Sequence, residues 1–217
     1  LARSRRIDPL VRSFAATYHA YGQVGAGDPA GAQRRLDELG YVRHWQVVGP
    51  FDNEGKSGFD RALPPEAARA RPVDREARFQ GKEREVSWRA YPPDLNRYSY
   101  VDLDAVLRPN VNVCAYAETF VFSERAQPLT LWFGSGGANK VWFNGELAGT
   151  DTEYRSPEID RSVALVGARA GWNRVLVKDC VADGRWGFFF RIGDARGGQA
   201  TGLRIDPGGA TAAAAAS

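Results

Sequence analysis

Residues 140 to 147 read Lys140-Val141-Trp142-Phe143-Asn144-Gly145-Glu146-Leu147. Val141 and Phe143 lie two positions apart and share one face of an extended chain, the alternation of a half-buried strand. Asn144-Gly145 then predicts a type I′ hairpin turn, whose two central residues both need positive φ. Runs of the same kind recur on either side, at 45–48, 86–91, 98–103, 111–122, 129–133, 162–166, 174–181, 186–192 and 203–205. They are rich in Val, Trp, Phe and Tyr and are divided by Gly, Pro, Asn and Asp. No helix-length periodic segment intervenes, which excludes a parallel βαβ layout. The expected fold is mainly β, an antiparallel β-sandwich of jelly-roll type.

Ahead of the strands, residues 8 to 40 read as two short helices. Leu10, Val11, Phe14, Ala15, Tyr18 and Tyr21 recur at three- and four-residue spacing, as one buried helical face requires. Asp28-Pro29 reads as an N-cap followed by proline at the first helical position, Ala32, Leu36 and Leu39 supply the next stripe, and Gly40 sits where a C-cap belongs. Two such helices cannot bury their apolar faces alone, so they need the following domain or a preceding helical repeat. Three regions follow: an N-terminal helical hairpin over 1–40, the sandwich over 41–206, and a flexible Gly- and Ala-rich tail over 207–217. Residues 52 to 83 are long, polar and aperiodic, which suggests a functional loop or an elaborated edge.

Composition narrows the function classes. The 217 residues carry 29 Lys and Arg against 26 Asp and Glu, a net charge of +3, and the one tight basic cluster is Arg3, Arg5 and Arg6. That argues against nucleic acid as a partner, which calls for a basic patch or stripe. No apolar run approaches the roughly 18 residues of a membrane span, so no membrane insertion is expected. The chain starts at Leu1 and has no Met, as a processed chain or a piece of something longer would. Cys114 and Cys180, 66 positions apart, have no metal spacing; they pair if the fold brings them together and otherwise are free buried thiols.

The polar residues suggest several chemistries. His19 and His44 are the two histidines, and neither neighbours a Ser or Cys in a strand-to-helix turn, so both read as packing or surface residues. Gly134-Ser135-Gly136-Gly137 lacks phosphate-loop spacing and a following helix, and reads as a turn. Asp151, Glu153, Glu158 and Asp160 would be the carboxylates of a hydrolase, although a solvated acidic loop explains them as well. Asp52, Asn53, Glu54 and Asp60 are oxygen ligands of the kind calcium takes, without EF-hand spacing, with Asx turns as the alternative. Trp142 points away from Val141 and Phe143, and Trp186 lies beside Asp183 and Arg185. Each tryptophan either packs a second surface or offers a stacking face for a sugar ring, with Asn139, Asp183 and Arg185 as hydrogen-bonding partners.

The run Trp45-Gln46-Val47-Val48-Gly49-Pro50-Phe51-Asp52-Asn53-Glu54-Gly55, continuing to Gly58-Phe59-Asp60 and Pro64-Pro65-Glu66, resembles the start of a module in large bacterial proteins. Those proteins carry tetratricopeptide-like helices before it and often a transglutaminase-like region after it. Lys140-Val141-Trp142-Phe143-Asn144-Gly145, Gly171-Trp172-Asn173-Arg174-Val175-Leu176-Val177-Lys178 and Trp186-Gly187-Phe188 resemble the galactose-binding-domain-like jelly roll of glycosidase accessory modules. Together these pieces cover roughly 40 to 194. The resemblance implies a fold more than a ligand, and no ligand residue of the family carries over because its binding loops vary.

Three functions are therefore expected in order. The first is a non-catalytic, carbohydrate-binding module of a larger extracytoplasmic (periplasmic or cell-surface) bacterial protein, taking a carbohydrate or cell-wall glycan. It would need no cofactor beyond a structural calcium at Asp52, Asn53 and Asp60. The second is a structural or protein-interaction module that orders the flanking domains of its parent. The third is a glycoside-type hydrolase using the loop carboxylates.

Overall fold

The computed structural model describes residues 8–71 and 73–208, and the side chains of Pro9, Leu10 and Arg97 are not among those described. The Arg3, Arg5 and Arg6 cluster and most of the 207–217 tail therefore lie outside the described residues. The chain opens with two helices, α1 (Pro9–Gly25) and α2 (Pro29–Glu38), and two four-residue helices follow later, α3 (Ser57–Asp60) and α4 (Pro64–Ala67). The strands are β1 (Gln46–Asp52), β2 (Arg78–Gln80), β3 (Glu85–Ser87), β4 (Arg89–Ala90), β5 (Tyr100–Asp102), β6 (Val113–Ser123) and β7 (Gln127–Ser135). They continue with β8 (Ala138–Phe143), β9 (Glu146–Asp151), β10 (Ser162–Ala168), β11 (Gly171–Val181), β12 (Gly187–Asp194) and β13 (Leu203–Asp206).

These strands build an antiparallel β-sandwich. The large sheet runs β4-β1-β6-β11-β8-β9, with β13 added to the far end of β6, and the small sheet runs β10-β7-β12-β5. From β5 to β12 the chain crosses between the two sheets at every step but one, the β8–β9 hairpin that forms one edge of the large sheet. The central pair of β6 and β11 stays in register over eleven residues, from Val181 opposite Val113 to Gly171 opposite Ser123. The hairpin expected at Asn144-Gly145 is formed, with φ of 52° and 85° at its two central residues and β8 paired to β9 on either side.

Alternation along β6 and β11 sends one set of side chains into the sandwich. Val113, Ala115, Ala117, Val175 and Val177 face Leu131, Phe133 and Phe190 of the small sheet. Trp45 sets its ring edge-on to Phe188 at 5.3 Å and to Phe190 at 5.4 Å, and its indole N–H donates to the Val42 carbonyl.

The opposite set, including Cys114, Tyr116, Trp142 and Leu176, faces outward and is nonetheless buried. What buries it is the polar stretch expected as a loop. Residues 53 to 88 fold back over the outer face of the large sheet, carrying α3, α4, β2 and β3, and Phe59, Leu63, Val86 and Trp88 pack onto it. Charged groups fasten the cover. Lys178, with a fully buried side chain, pairs with Glu66 at 2.9 Å, and buried Glu118 is clamped between Arg75 and Arg174. Cys180 lies directly opposite Cys114 on the neighbouring strand, and the two form a disulfide beneath the cover.

The helical hairpin docks on the small sheet's side. Asp28 accepts from the Gly31 amide at 2.8 Å as the expected N-cap, and Gly40 takes φ of 86° at the C-terminal end of α2. Ala32 and Leu36 are fully buried. For α1 the outcome differs from the periodicity. Val11, Phe14 and Tyr18 are 52%, 45% and 53% exposed, whereas Ser13, Ala16, Thr17 and Ala20 form the buried face. Small side chains let the helix approach closely: Ser13 donates to the Gly197 carbonyl, and Thr17 meets the Tyr41 hydroxyl. The close contact thus selects the face with small side chains over the face with large ones.

Candidate ligand-binding cleft

A cleft of about 610 Å3 opens where α1 meets the edge of the small sheet, lined by Tyr21, Val24, Leu95, Tyr98, Tyr100, Asp102, Ala105, Arg185 and Phe189. That volume falls in the range of small-ligand sites, as does a mostly apolar wall with a few polar groups. Two aromatic pairs form the wall. Tyr21 meets Tyr98 edge-on, with ring centroids 6.5 Å apart, and its hydroxyl donates to the Tyr98 carbonyl at 3.1 Å. Tyr100 lies against Phe189, its register partner across β5 and β12, at 5.1 Å. Gly187 at the start of β12 allows this close pairing, since a Cβ there would strike the Val101 carbonyl oxygen and come within 2.8 Å of the Tyr100 hydroxyl.

Tyr98 and Ser99 both hold positive φ, 56° and 68°. Two successive non-glycine residues in that region cost on the order of 1–3 kcal/mol each and persist because their surroundings hold them. The Tyr21 hydroxyl on the Tyr98 carbonyl is one such hold.

Arg185 and Asp102 supply the charge. The Arg185 guanidinium lies over the Tyr100 ring, 4.8 Å from its centroid. Burial and the neighbouring Asp104 push the Asp102 carboxyl above its ordinary value, while the Arg185 charge works in the opposite direction. Burial also pushes the Tyr100 and Tyr21 hydroxyls upward, so both stay protonated donors. The chemistry on offer is ring stacking, one guanidinium and one carboxylate, with the Tyr21 hydroxyl spent on the Tyr98 carbonyl and the Tyr100 hydroxyl buried behind the wall.

Of the residues expected at a site, Arg185 stands in this cleft. Asp183 is exposed on the adjoining loop and lines a smaller neighbouring pocket of about 210 Å3 that Arg185 also borders. The two expected stacking tryptophans are elsewhere. Trp142 is 3% exposed and packed beneath the 53–88 cover, and Trp186 is fully buried between the sheets. Neither ring presents a face to solvent, because each sheet face that carries them is covered. Asn139 is likewise buried, the cross-strand neighbour of Asp179 inside the sandwich.

Two of the three expected calcium ligands, Asn53 and Asp52, have protein partners. The Asn53 amide donates to the Val181 carbonyl and the Tyr154 hydroxyl and accepts from the Phe59 amide, so it pins the start of the cover to the sheet. Asp52 pairs with Lys82 at 3.4 Å, and Asp60 is exposed on α3. Among the described residues no group of three or more His, Cys, Asp or Glu is placed to hold a metal ion. Three of the four loop carboxylates take arginine partners, Asp160 with Arg191 and Asp151 and Glu158 with Arg161, and Glu153 is exposed.

A second aromatic surface lies on the uncovered end of the large sheet. Trp172, half-buried while the other five tryptophans are buried, meets Phe122 at 5.4 Å, and Arg204 lies over both rings.

No family model matches the chain, and no curated protein matches it. Among solved structures, the chain is similar to a beta-glucosidase from Kluyveromyces marxianus, at 14% identity and a TM-score of 0.41, covering 79% of this chain and 18% of that one. It is similar to a family 35 carbohydrate binding module from Clostridium thermocellum at 12% identity and a TM-score of 0.28, covering 38% and 72%. A third likeness is to the PA14 domain of the antifreeze protein MpAFP, at 12% identity and a TM-score of 0.34, covering 38% and 44%. The chain thus spans less than a fifth of the beta-glucosidase. Likeness of this depth assigns neither a ligand nor a family.

Proposed function

We propose that the chain is a non-catalytic carbohydrate-binding module, and that it binds at the cleft between α1 and β5 rather than at Trp142 or Trp186. The observation that supports this most is the pairing of half-buried aromatic rings at the cleft wall, Tyr21, Tyr98 and Phe189, backed by buried Tyr100, with one guanidinium and one carboxylate. Pyranose rings combine apolar CH faces with hydroxyl rims, and a site for them needs aromatic faces beside hydrogen-bonding groups. A glycan ligand, a larger parent protein and an extracytoplasmic setting belong to the same proposal. The Cys114–Cys180 disulfide suits an oxidising compartment. Isothermal titration of the chain with a panel of oligosaccharides tests the reading. Saturable binding that Tyr98→Ala abolishes is expected. Heats indistinguishable from dilution across the panel would overturn it.

One observation favours the second reading, a module that orders flanking domains. The exposed Phe14 and Tyr18 rings touch at 4.7 Å, and Tyr18 continues to Tyr21 at 6.1 Å, so an apolar stripe runs along α1 into the cleft. Contiguous exposed apolar surface of this kind marks docking sites on soluble proteins. Phe14→Ser with Tyr18→Ser separates the two: weakened association with the parent's flanking segments, with sugar binding kept, would favour the docking role.

A further inference from the structure

The charged groups of the cleft point to a narrower ligand class, an inference that rests on the carbohydrate reading above. Most arginines near this face already have carboxylate partners. Arg161 holds Glu158 and Asp151, and Arg191 holds Asp160 with both Nε and Nη2. Arg185 differs. It is exposed at the rim, its contact is with the Tyr100 ring, and among the described residues no hydrogen bond or ion pair takes up its N–H donors.

A guanidinium lying over an aromatic ring is oriented by that ring, while its donors stay in its own plane, around its edge. It is therefore a fork held ready for a planar, two-oxygen partner, and the geometry it matches best is a carboxylate. The cleft's own carboxylate does not fill that place. Asp102 lines the same cleft and is influenced by Arg185 without forming an ion pair with it. The result is a donor fork and a separate acceptor beside an aromatic wall. A hexuronate matches that arrangement, with a carboxylate at one end of a pyranose ring and hydroxyl donors along the other edge.

We propose that the cleft selects acidic saccharides of the uronic-acid type, with Arg185 receiving the carboxylate, Asp102 accepting from ring hydroxyls, and the tyrosine wall stacking on the sugar.

The test is isothermal titration of the full chain with three probes of equal length: trigalacturonate, galactotriose and a sulfated galactotriose. A charge-assisted, bidentate contact predicts that trigalacturonate binds about tenfold or more tighter than galactotriose at low salt, with the advantage shrinking as salt rises. Arg185→Gln should bring the ratio between the acidic and neutral probes close to one. Arg185→Lys, which keeps the charge and loses the fork, should retain part of it. Equal affinities for the acidic and neutral probes would overturn the proposal while leaving the carbohydrate reading standing. Tighter binding of the sulfated probe than of trigalacturonate would overturn the carboxylate assignment. Silence with all three would overturn this proposal, and the oligosaccharide panel above then decides the carbohydrate reading.

Discussion

The Lys178 ammonium stands 2.9 Å from Oε2 of Glu66, with the carbonyls of Phe59 and Arg61 at 2.9 and 2.8 Å completing its donors. The Tyr116 hydroxyl donates to the same Glu66 oxygen at 3.0 Å. A lysine on the outer face of a sheet and a glutamate in a surface excursion thus meet in a site closed to water. This contact turns residues 53 to 88 from a loop into a cover, and so keeps ligands from that face of the sandwich.

Removing one partner of a buried, hydrogen-bonded pair leaves the other charge stranded, at a cost of about 3–5 kcal/mol. Lys178→Met should therefore lower unfolding stability by about 3 kcal/mol or more in urea titrations, by the same reasoning. Amide exchange over 57–67 should speed up with it. A loss under about 1 kcal/mol, the scale of an exposed pair, would mean that apolar contacts alone hold the cover.

A second buried acid makes stability depend on pH. Asp179 lies between the sheets, and burial pushes its carboxyl up to about 8, while the hydrogen bond from Ser135 pulls the other way. Between about 4, where the unfolded chain releases this proton, and about 8, the folded protein binds one proton more than the unfolded chain. Stability should fall with rising pH across that window, by at most about 1.4 kcal/mol per pH unit for one proton. Asp179→Asn should flatten the slope, as read by urea midpoints at pH 5, 6, 7 and 8. An unchanged slope would assign the dependence to other groups.

The disulfide joins two strands through a loop of 66 positions. Closing a loop of that size in the unfolded chain stabilises by about 2–4 kcal/mol in typical cases. Reduction, or Cys114→Ala with Cys180→Ala, should lower the melting temperature accordingly, and the native protein should show no reactive thiol before reduction. Two titratable thiols in the untreated protein would contradict the pairing.

Trp142 and Trp186, both buried, should behave as core. Trp142→Ala or Trp186→Ala should cost about 3–5 kcal/mol, as large-to-small core changes do. Any sugar affinity of the remaining folded protein should stay intact. Retained stability with lost binding would restore those rings to a site.

Much of the fold was legible because its signals are local. Alternation, β-branched and aromatic runs and the Asn144-Gly145 turn act over a few residues, and each became a strand or a hairpin where expected. The Asp28 cap and Gly40 are local in the same sense. Other features depend on partners distant in the chain. Trp142 does point away from Val141 and Phe143, but it joins a buried cluster that includes Phe59 and Leu63, some eighty residues earlier. The α1 periodicity marked Val11, Phe14 and Tyr18 correctly as one face, yet that face turned outward because the hairpin packs through Ala16, Thr17 and Ala20. Arg185 was legible as a polar residue beside an aromatic run. Nothing local in the sequence sets Tyr98, Tyr100 and Phe189 apart as site residues, although alternation in Phe188-Phe189-Phe190 places Phe189 on the side opposite its neighbours. The cleft needs α1, β5 and β12 together, and no spacing in the sequence encodes that meeting.

The most direct test of the central claim is a two-dimensional amide NMR spectrum of the chain, recorded while an oligosaccharide that binds it in calorimetry is titrated in. The account predicts that the shifted resonances cluster at Tyr21, Tyr98, Tyr100, Ala105, Arg185 and Phe189, with Trp142 and its strand unmoved. Shifts clustering at Phe122, Trp172 and Arg204, or on the outer face of the large sheet, would contradict it and put the binding site on another surface.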